Sequence, residues 1–415
     1  MHHYEHRAIT RQTNASLAAF AIFLAILPSI ATAQGNRTGH GDSARRIDIS
    51  PTHVDGRWLA KNPGAQVSPT HNNVRYKKVA IGVLPGKTNS VVAEEPSVIN
   101  NLGHVAGFSF VFTGDTVDYY LTAQPFLWVN GKVRSLPLLK GWPGAFATGV
   151  NDHDQVIGEA NNFDSDGNRR RTAVMWSHDK VIDLGTLDSN SNSAAFGINV
   201  WGVVAGFNFS FITGHRTPVA WYGGAIHALP LLPGQTEGFA FGINDAGVIA
   251  GYQSPEDDSS ETACLWYWNG SSYVAVPLGT LGGNYGDAFD VNIWGGAVGA
   301  VTTANDANLA PVQWNSKTPL ALPLLSGDTD GIALAISDLG QILGLEFGVD
   351  ANGNDVQHAV LWQHGTVTDL QTVVPAKTPT ITDVGNINVF GQIAIETGFF
   401  DDGSLAAYVL VPKDN

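Results

Sequence analysis

One phrase, written seven times, constrains this chain more than any other feature. It is anchored at Asn100, Asn151, Asn199, Asn244, Asn292, Ser337 and Asn388, spaced 51, 48, 45, 48, 45 and 51 residues apart. Each anchor but the last is followed by a tryptophan: Trp128, Trp176, Trp221, Trp266, Trp314 and Trp362. In the seventh copy Leu410 takes that place. Repeats of this period signify a propeller, a solenoid or an array, because a single unit cannot bury its apolar face alone. A length of 415 residues would otherwise suggest two or three domains. The repeats override that prior, since they run over residues 76–412 without a break.

The copy from Phe239 to Leu278 shows the grammar of one unit. Two short apolar runs, Phe239 to Ile243 and Val248 to Tyr252, flank the turn Asn244-Asp245-Ala246-Gly247. A polar, acidic stretch leads to a third run, Ala263 to Trp268. Asn269-Gly270 then leads to a fourth, Tyr273 to Leu278. Asn-Gly between β-rich runs predicts a type I′ hairpin, in which both central residues take positive φ. Four such runs predict one antiparallel blade. A glycine three after the anchor recurs in six copies, and Asp154, which tolerates a left-handed backbone, replaces it in the second. A second glycine, seven after the anchor, recurs as Gly107, Gly158, Gly206, Gly251, Gly299 and Gly344, with Ile395 the exception. The tryptophans share one register and read as packing wedges between blades. Cys264, the only cysteine, stands where other copies carry Phe126, Val174, Val219, Val312 and Val360, and reads as a small core residue.

The two ends of the repeat region complement each other. The chain opens with a fourth-strand run, Tyr76 to Val83, and its seventh copy stops after a third, Ala406 to Val411. Pairing these segments closes a ring and hides two sheet edges that would invite aggregation. The expected fold is therefore all-β: a seven-bladed β-propeller of four-stranded antiparallel blades, closed by the N-terminal strand on the C-terminal blade.

The N-terminus has the form of an export signal over residues 1–33. Arg7 and Arg11 precede an apolar run from Leu17 to Ile30, and Ala31-Thr32-Ala33 offers a small-residue cleavage site. Residues 34–75 read as a flexible polar leader, too poor in apolar side chains to order themselves. Removing residues 1–33 takes away Glu5, Arg7 and Arg11, so the net charge moves from −15 to −16. A chain this acidic repels nucleic acid and anionic membranes. No later apolar stretch is long enough for membrane insertion.

The repeat phrase Leu278-Gly279-Thr280-Leu281-Gly282-Gly283, Ala288, Asn292-x-x-Gly295, Val298-Gly299 and a triplet before the tryptophan resembles the bacterial extracellular HAF repeat family. The resemblance covers residues 76–412. The naming triplet is degraded, His358-Ala359-Val360 being closest to it. Export and a β repeat fold are what the resemblance implies, with no reaction attached.

Chemistry is expected on the face that carries the loops between second and third strands, where variable polar residues gather. Glu159 and Glu396 hold equivalent positions there, eight after their anchors. With His215 and Arg216 they form the candidate catalytic set for a polysaccharide lyase or hydrolase. Glu346, His358, Asp401 and Asp402 belong to the same face. Trp142 and Tyr285 are candidate sugar-stacking rings. Two loops, Asp164-x-Asp166-x-Asn168 and Asp350-x-Asn352-x-Asn354, alternate oxygen side chains around a glycine and make calcium the candidate cofactor. The singly scattered His104, His153, His178 and His364 argue against a metal cluster. With no nucleophile elbow, phosphate loop or metal-binding motif in view, the leading expectation is a secreted, monomeric binding module for carbohydrate or a surface protein. The enzyme is the alternative.

Overall fold

The computed structural model describes residues 74–92, 97–113, 116–398 and 405–413. The expected export signal, all but the last two residues of the expected leader, and Asp401 and Asp402 lie outside the described residues. Seven four-stranded antiparallel sheets form the blades of a propeller. Their inner strands are Asn89–Val91, Gly144–Val150, Ser191–Ile198, Glu237–Ile243, Gly282–Val291, Asp328–Ile336 and Ile381–Ile387, which define blades 1 to 7. The outer strand of blade 7 is Tyr76–Ala80, paired antiparallel with Ala406–Pro412 so that Val79 faces Val409. The early segment thus closes the wheel in the expected register.

Each anchor asparagine does two jobs with one amide. Its Oδ1 accepts the backbone N–H groups two and four residues on, as Asn244 does from Ala246 and Val248 at 3.0 and 2.9 Å, which closes the turn between first and second strands. Its Nδ2 donates to the backbone carbonyl of the next anchor. Asn100 reaches Asn151, Asn151 reaches Asn199, Asn199 reaches Asn244, Asn244 reaches Asn292, and Asn292 reaches Ser337, at 2.9, 2.9, 3.2, 2.7 and 3.4 Å. Asn388 then donates to Asn100 at 2.9 Å across the closure. Ser337 lacks the amide, and its hydroxyl instead accepts from Gln341 N, so one link of the circle is missing.

The tryptophans sit on blade boundaries. Trp176, Trp266, Trp314 and Trp362 donate their indole N–H to the carbonyls of Pro137, Pro230, Gly279 and Pro323 on the outer edge of the preceding blade, at 2.7 to 3.0 Å. Their rings lie over the second glycine. A Cβ added to Gly251 would meet the Phe239 carbonyl, and would stand 2.9 Å from the Trp266 ring. Blade 7 breaks both halves of this rule together. Ile395 replaces the glycine and Leu410 the tryptophan, and both are buried in one apolar cluster. The shorter Leu410 leaves the volume that Ile395 occupies. Cys264 is fully buried, and burial pushes its thiol well above the usual range, as befits a core residue.

Two local features depart from the sequence reading. Asn269 is not in the left-handed region, although Gly270 is. The flanking strands end at Trp268 and Tyr273, so four residues rather than two form the turn, and Asn269 Oδ1 closes it by accepting from Ser271 and Ser272 N. The two-residue geometry occurs instead at Asn130-Gly131, where both φ angles are positive. The other departure is a short helix, α1 (Thr116–Thr122), inserted between the second and third strands of blade 1. Its Tyr119 packs edge-on against Phe110 at 4.8 Å. Asp154 takes φ 57°, as its replacement of glycine requires.

Asn199→Ala removes two acceptor bonds and one donor bond, and lowers unfolding free energy by about 2–3 kcal/mol in urea titrations. Ser337→Asn supplies the missing link and raises it by about 1 kcal/mol. Gly251→Ala forces apart the inner strand and Trp266, at a cost of about 1–3 kcal/mol in the same assay.

Candidate functional site

The loop face of blades 2, 3 and 4 carries a cluster of buried charge. Its first members follow from strand register. Arg171 pairs with Asn161, and Arg216 with Phe209, each ten residues after its anchor. Arg171 and Arg216 therefore stand at equivalent points of neighbouring blades, where the third strand leaves the loop. Glu261, just before Thr262, continues the series in blade 4.

Carboxylates and rings hold these guanidinium groups in place. Arg169 Nη2 bonds Glu159 Oε1, and its Nε reaches Asn161 Oδ1 at 2.9 Å. Arg171 Nη1 lies 3.5 Å from Glu159 Oε2. Arg216 Nη1 donates to Glu237 Oε2 at 3.2 Å, and its backbone N–H to the same oxygen at 3.1 Å. Each guanidinium also covers an aromatic face, Arg169 on Tyr120 at 3.7 Å, Arg171 on Phe207 at 4.7 Å and Arg216 on Phe239 at 5.6 Å. Such stacking stabilises a cation that has lost water. Burial draws the Arg171 guanidinium down to about 10, Glu159 pulls it upward, and the nearby Arg169 and Arg216 press it lower. It remains charged at neutral pH. Two donor atoms in this cluster, Arg169 Nη1 and Asn161 Nδ2, are buried without a hydrogen-bond partner.

A carboxyl pair adjoins the cluster on its blade 4 to blade 5 side. Glu261 and the inner strand of blade 5 exchange backbone bonds, Glu261 N to Asn284 O at 3.1 Å and Gly286 N to Glu261 O at 2.9 Å. That pairing brings Tyr285 and Asp287 alongside. Burial raises the Asp287 carboxyl well above the usual range, with the Glu261 charge adding to it. Burial, then Asp258, pushes Glu261 up to about 7. Tyr252, above Phe239 on the second strand, is likewise held protonated by burial.

The cluster gathers three residues singled out by sequence, Glu159, Arg216 and Tyr285. The others fall elsewhere. Glu396 occupies the position equivalent to Glu159, yet its Oε1 accepts from Val92 N at 2.6 Å and ties blade 7 to blade 1. His215 enters the structure through the backbone of its turn, where its carbonyl accepts from Ser210 N. Trp142 packs half-buried on the apolar cluster between blades 1 and 2. Glu346 and His358 are cross-strand partners in blade 6, and Asp328 lies between them, 2.8 Å from His358 Nδ1. Burial, reinforced by Asp328, raises Glu346 to about 8. Arg169, Arg171, Glu237, Glu261 and Asp287 were missed. Aligning the copies at the start of the third strand would have shown Arg171, Arg216 and Glu261 in register.

The proposed calcium loops are closed by their own donors. Asp164 Oδ1 accepts from Asp166 N and Asn168 N, and Asp350 Oδ1 from Asn352 N and Asn354 N. Those bonds hold the Asp164 and Asp350 carboxyls below the usual range, and Gly167 and Gly353 supply the left-handed step. Among the described residues no three His, Cys, Asp or Glu side chains gather as a metal site. Both loops have the construction of ordinary Asx turns, which fits a calcium ion poorly.

No protein-family model matches the chain, and no curated protein is similar to it. Several solved structures align with part of it. TolB from Acinetobacter baumannii aligns at 13% identity over 71% of this chain and 76% of its own, with a TM-score of 0.42. The β-propeller domain of the Trilobed protease from Pyrococcus furiosus aligns at 12% identity over 68% and 84%, with a TM-score of 0.41. A Trypanosoma rangeli sialidase in complex with the inhibitor DANA aligns at 10% identity over 80% and 57%, with a TM-score of 0.38. Alignments this weak carry no argument about what the chain does. No helix among the described residues is long and apolar enough to cross a membrane.

Asp290, Asp383 and Glu346 hold folded-state values of about 7, 7 and 8, burial being the leading cause in each. The unfolded values lie near 4, so the folded chain keeps protons that the unfolded chain has released. The stability these groups contribute is therefore fully present below about pH 4 and is lost as pH rises towards 8. Melting curves at pH 5 and 8 show this decline, and Glu346→Gln makes it shallower.

Proposed function

We propose that the chain is an exported binding propeller, as in the HAF repeat family that it resembles, and that its loop face takes an acidic carbohydrate. The observation that carries this reading is the gathering of Arg169, Arg171 and Arg216 from blades 2 and 3, each on an aromatic face, Tyr120, Phe207 and Phe239 in turn. Three guanidinium groups against Glu159 and Glu237 leave a local positive excess in an acidic chain. A carboxylate meets a guanidinium fork in two parallel bonds, and sugar faces suit rings such as Tyr285.

Titration calorimetry with uronic-acid oligosaccharides tests it, with neutral cello-oligosaccharides alongside. Acidic chains bind and neutral chains do not. Arg216→Ala weakens binding by about tenfold or more, the worth of one charge-assisted hydrogen bond, while Arg216→Lys retains part of it. Heat from neither class of saccharide removes the reading.

A second reading rests on the Glu261 and Asp287 carboxyls. Neighbouring carboxyls in one buried site, both raised by that burial, offer the proton donor that acid–base cleavage of a glycosidic bond requires. Turnover of the bound oligosaccharide that disappears in Asp287→Asn, with binding retained, supports it. Binding with no turnover in the parent chain dismisses it.

A further inference from the structure

The opposite face, formed by the anchor turns, carries a second surface unrelated to the saccharide reading. The residue two after the anchor is Leu102, His153, Trp201, Ala246, Trp294, Leu339 and Phe390 in blades 1 to 7. Five of these are bulky, apolar and open to solvent, with exposures of 58% at Leu102, 49% at Trp201, 54% at Trp294, 53% at Leu339 and 68% at Phe390. Single exposed hydrophobics are ordinary, but five at one register of a ring lie on one surface. Four of the turns they occupy are closed by an anchor asparagine, and that of Leu339 by the Ser337 hydroxyl.

Two of the five form identical constructions. Trp201 Nε1 donates to the Asp245 carbonyl of the next blade at 2.9 Å, and Trp294 Nε1 to the Asp338 carbonyl at 2.9 Å. The same aspartates accept, through Oδ1, from the residue preceding each tryptophan, Val200 N and Ile293 N, both at 2.8 Å. Each indole is therefore pinned across a blade boundary beside a carboxylate while half its surface stays open. Asp152 repeats the carboxylate in blade 2, accepting from Asn101 N at 2.8 Å. These three aspartates lie close enough that Asp152 and Asp338 both raise the Asp245 carboxyl, after burial.

We propose that this face docks a basic, apolar segment of a partner protein, with a lysine or arginine of that segment placed at each tryptophan–aspartate pair. A cation over an indole face gains both the ring quadrupole and the adjoining carboxylate. Leu102, Leu339 and Phe390 supply the apolar ground for the side chains between. The acidity decides among occupants. A second copy of this chain would set the same three aspartates against themselves, and the net charge of −15 opposes such a pairing. A nucleic acid or an anionic lipid surface is repelled for the same reason.

Titration calorimetry on the full chain provides the test, using a ten-residue peptide of alternating lysine and leucine and a control of alternating glutamate and leucine. The lysine peptide binds and the control does not. Trp201→Ser with Trp294→Ser weakens binding by about tenfold or more, two lost cation–π contacts together. Phe390→Ser, at a side chain with little burial to lose, weakens it as well and keeps the test valid if the double variant folds poorly. Asp245→Asn with Asp338→Asn reduces the salt dependence. Absence of binding, equal binding of both peptides, or binding unchanged in the Phe390 and asparagine variants overturns the proposal. So does concentration-dependent dimerisation in sedimentation that Phe390→Ser abolishes, which would make a second copy the occupant.

Discussion

The wheel depends on how one asparagine side chain is divided. The amide oxygen shapes the turn of its own blade, and the amide nitrogen holds the next blade at a set distance. Every turn but that of Ser337 is thus a spacer as well as a bend, and six such spacers help curve the chain into a circle. The bond from Asn388 to Asn100 belongs to the same series as the others although the two residues stand 288 apart in sequence. Ring closure therefore needs no special device at this level beyond the seventh repetition. The outer strand borrowed from the start of the chain completes it at the rim.

Packing between blades obeys a second rule, in which a tryptophan lies over a glycine and bonds the blade behind it. The rule is about volume rather than identity. Blade 7 exchanges both partners at once, Ile395 for glycine and Leu410 for tryptophan, and stays filled. Interiors pack densely enough that either exchange alone would leave a void or a clash. Blades 1 and 3 keep the pair but not the bond, and in blade 1 Trp128 Nε1 is buried without a partner. In blade 3 the Ser193 hydroxyl takes the Gly185 carbonyl at 2.8 Å, and Trp221 Nε1 has no partner.

A frame so repetitive leaves individual positions free to diverge. Eight residues past the anchor stand Phe108, Glu159, Phe207, Tyr252, Ala300, Leu345 and Glu396, all on second strands. Glu159 became an ion partner for two arginines because blade 2 brings Arg169 and Arg171 to it. Glu396 became a backbone acceptor because Val92 N of blade 1 faces it. Their register is equal and their surroundings are not. That is why Glu159 and Arg216 share one cluster, with Tyr285 beside it, while Glu396 and Trp142 fall elsewhere. In the Asp164 and Asp350 loops the carboxylates turn to their own backbone. Alternating oxygens suit a cation, but the same spacing lets one carboxylate accept the backbone donors of its own turn, and proximity along the chain favours that outcome.

The architecture was written in the linear chain. The period, the alternation of apolar runs with asparagine and glycine turns, and the orphan strand at one end matching the gap at the other were enough to give seven blades and their closure. These are local patterns, and a repeat that contacts only its neighbours turns local pattern into global form. The sites were decided only by folding. Arg169, Arg171, Arg216, Glu237 and Glu261 come from separate stretches whose meeting depends on curvature. So does the ring of Leu102, Trp201, Trp294, Leu339 and Phe390, which in sequence is a set of isolated apolar residues. Side-chain chemistry at one position is local, whereas burial, partner and charge environment belong to the assembled wheel.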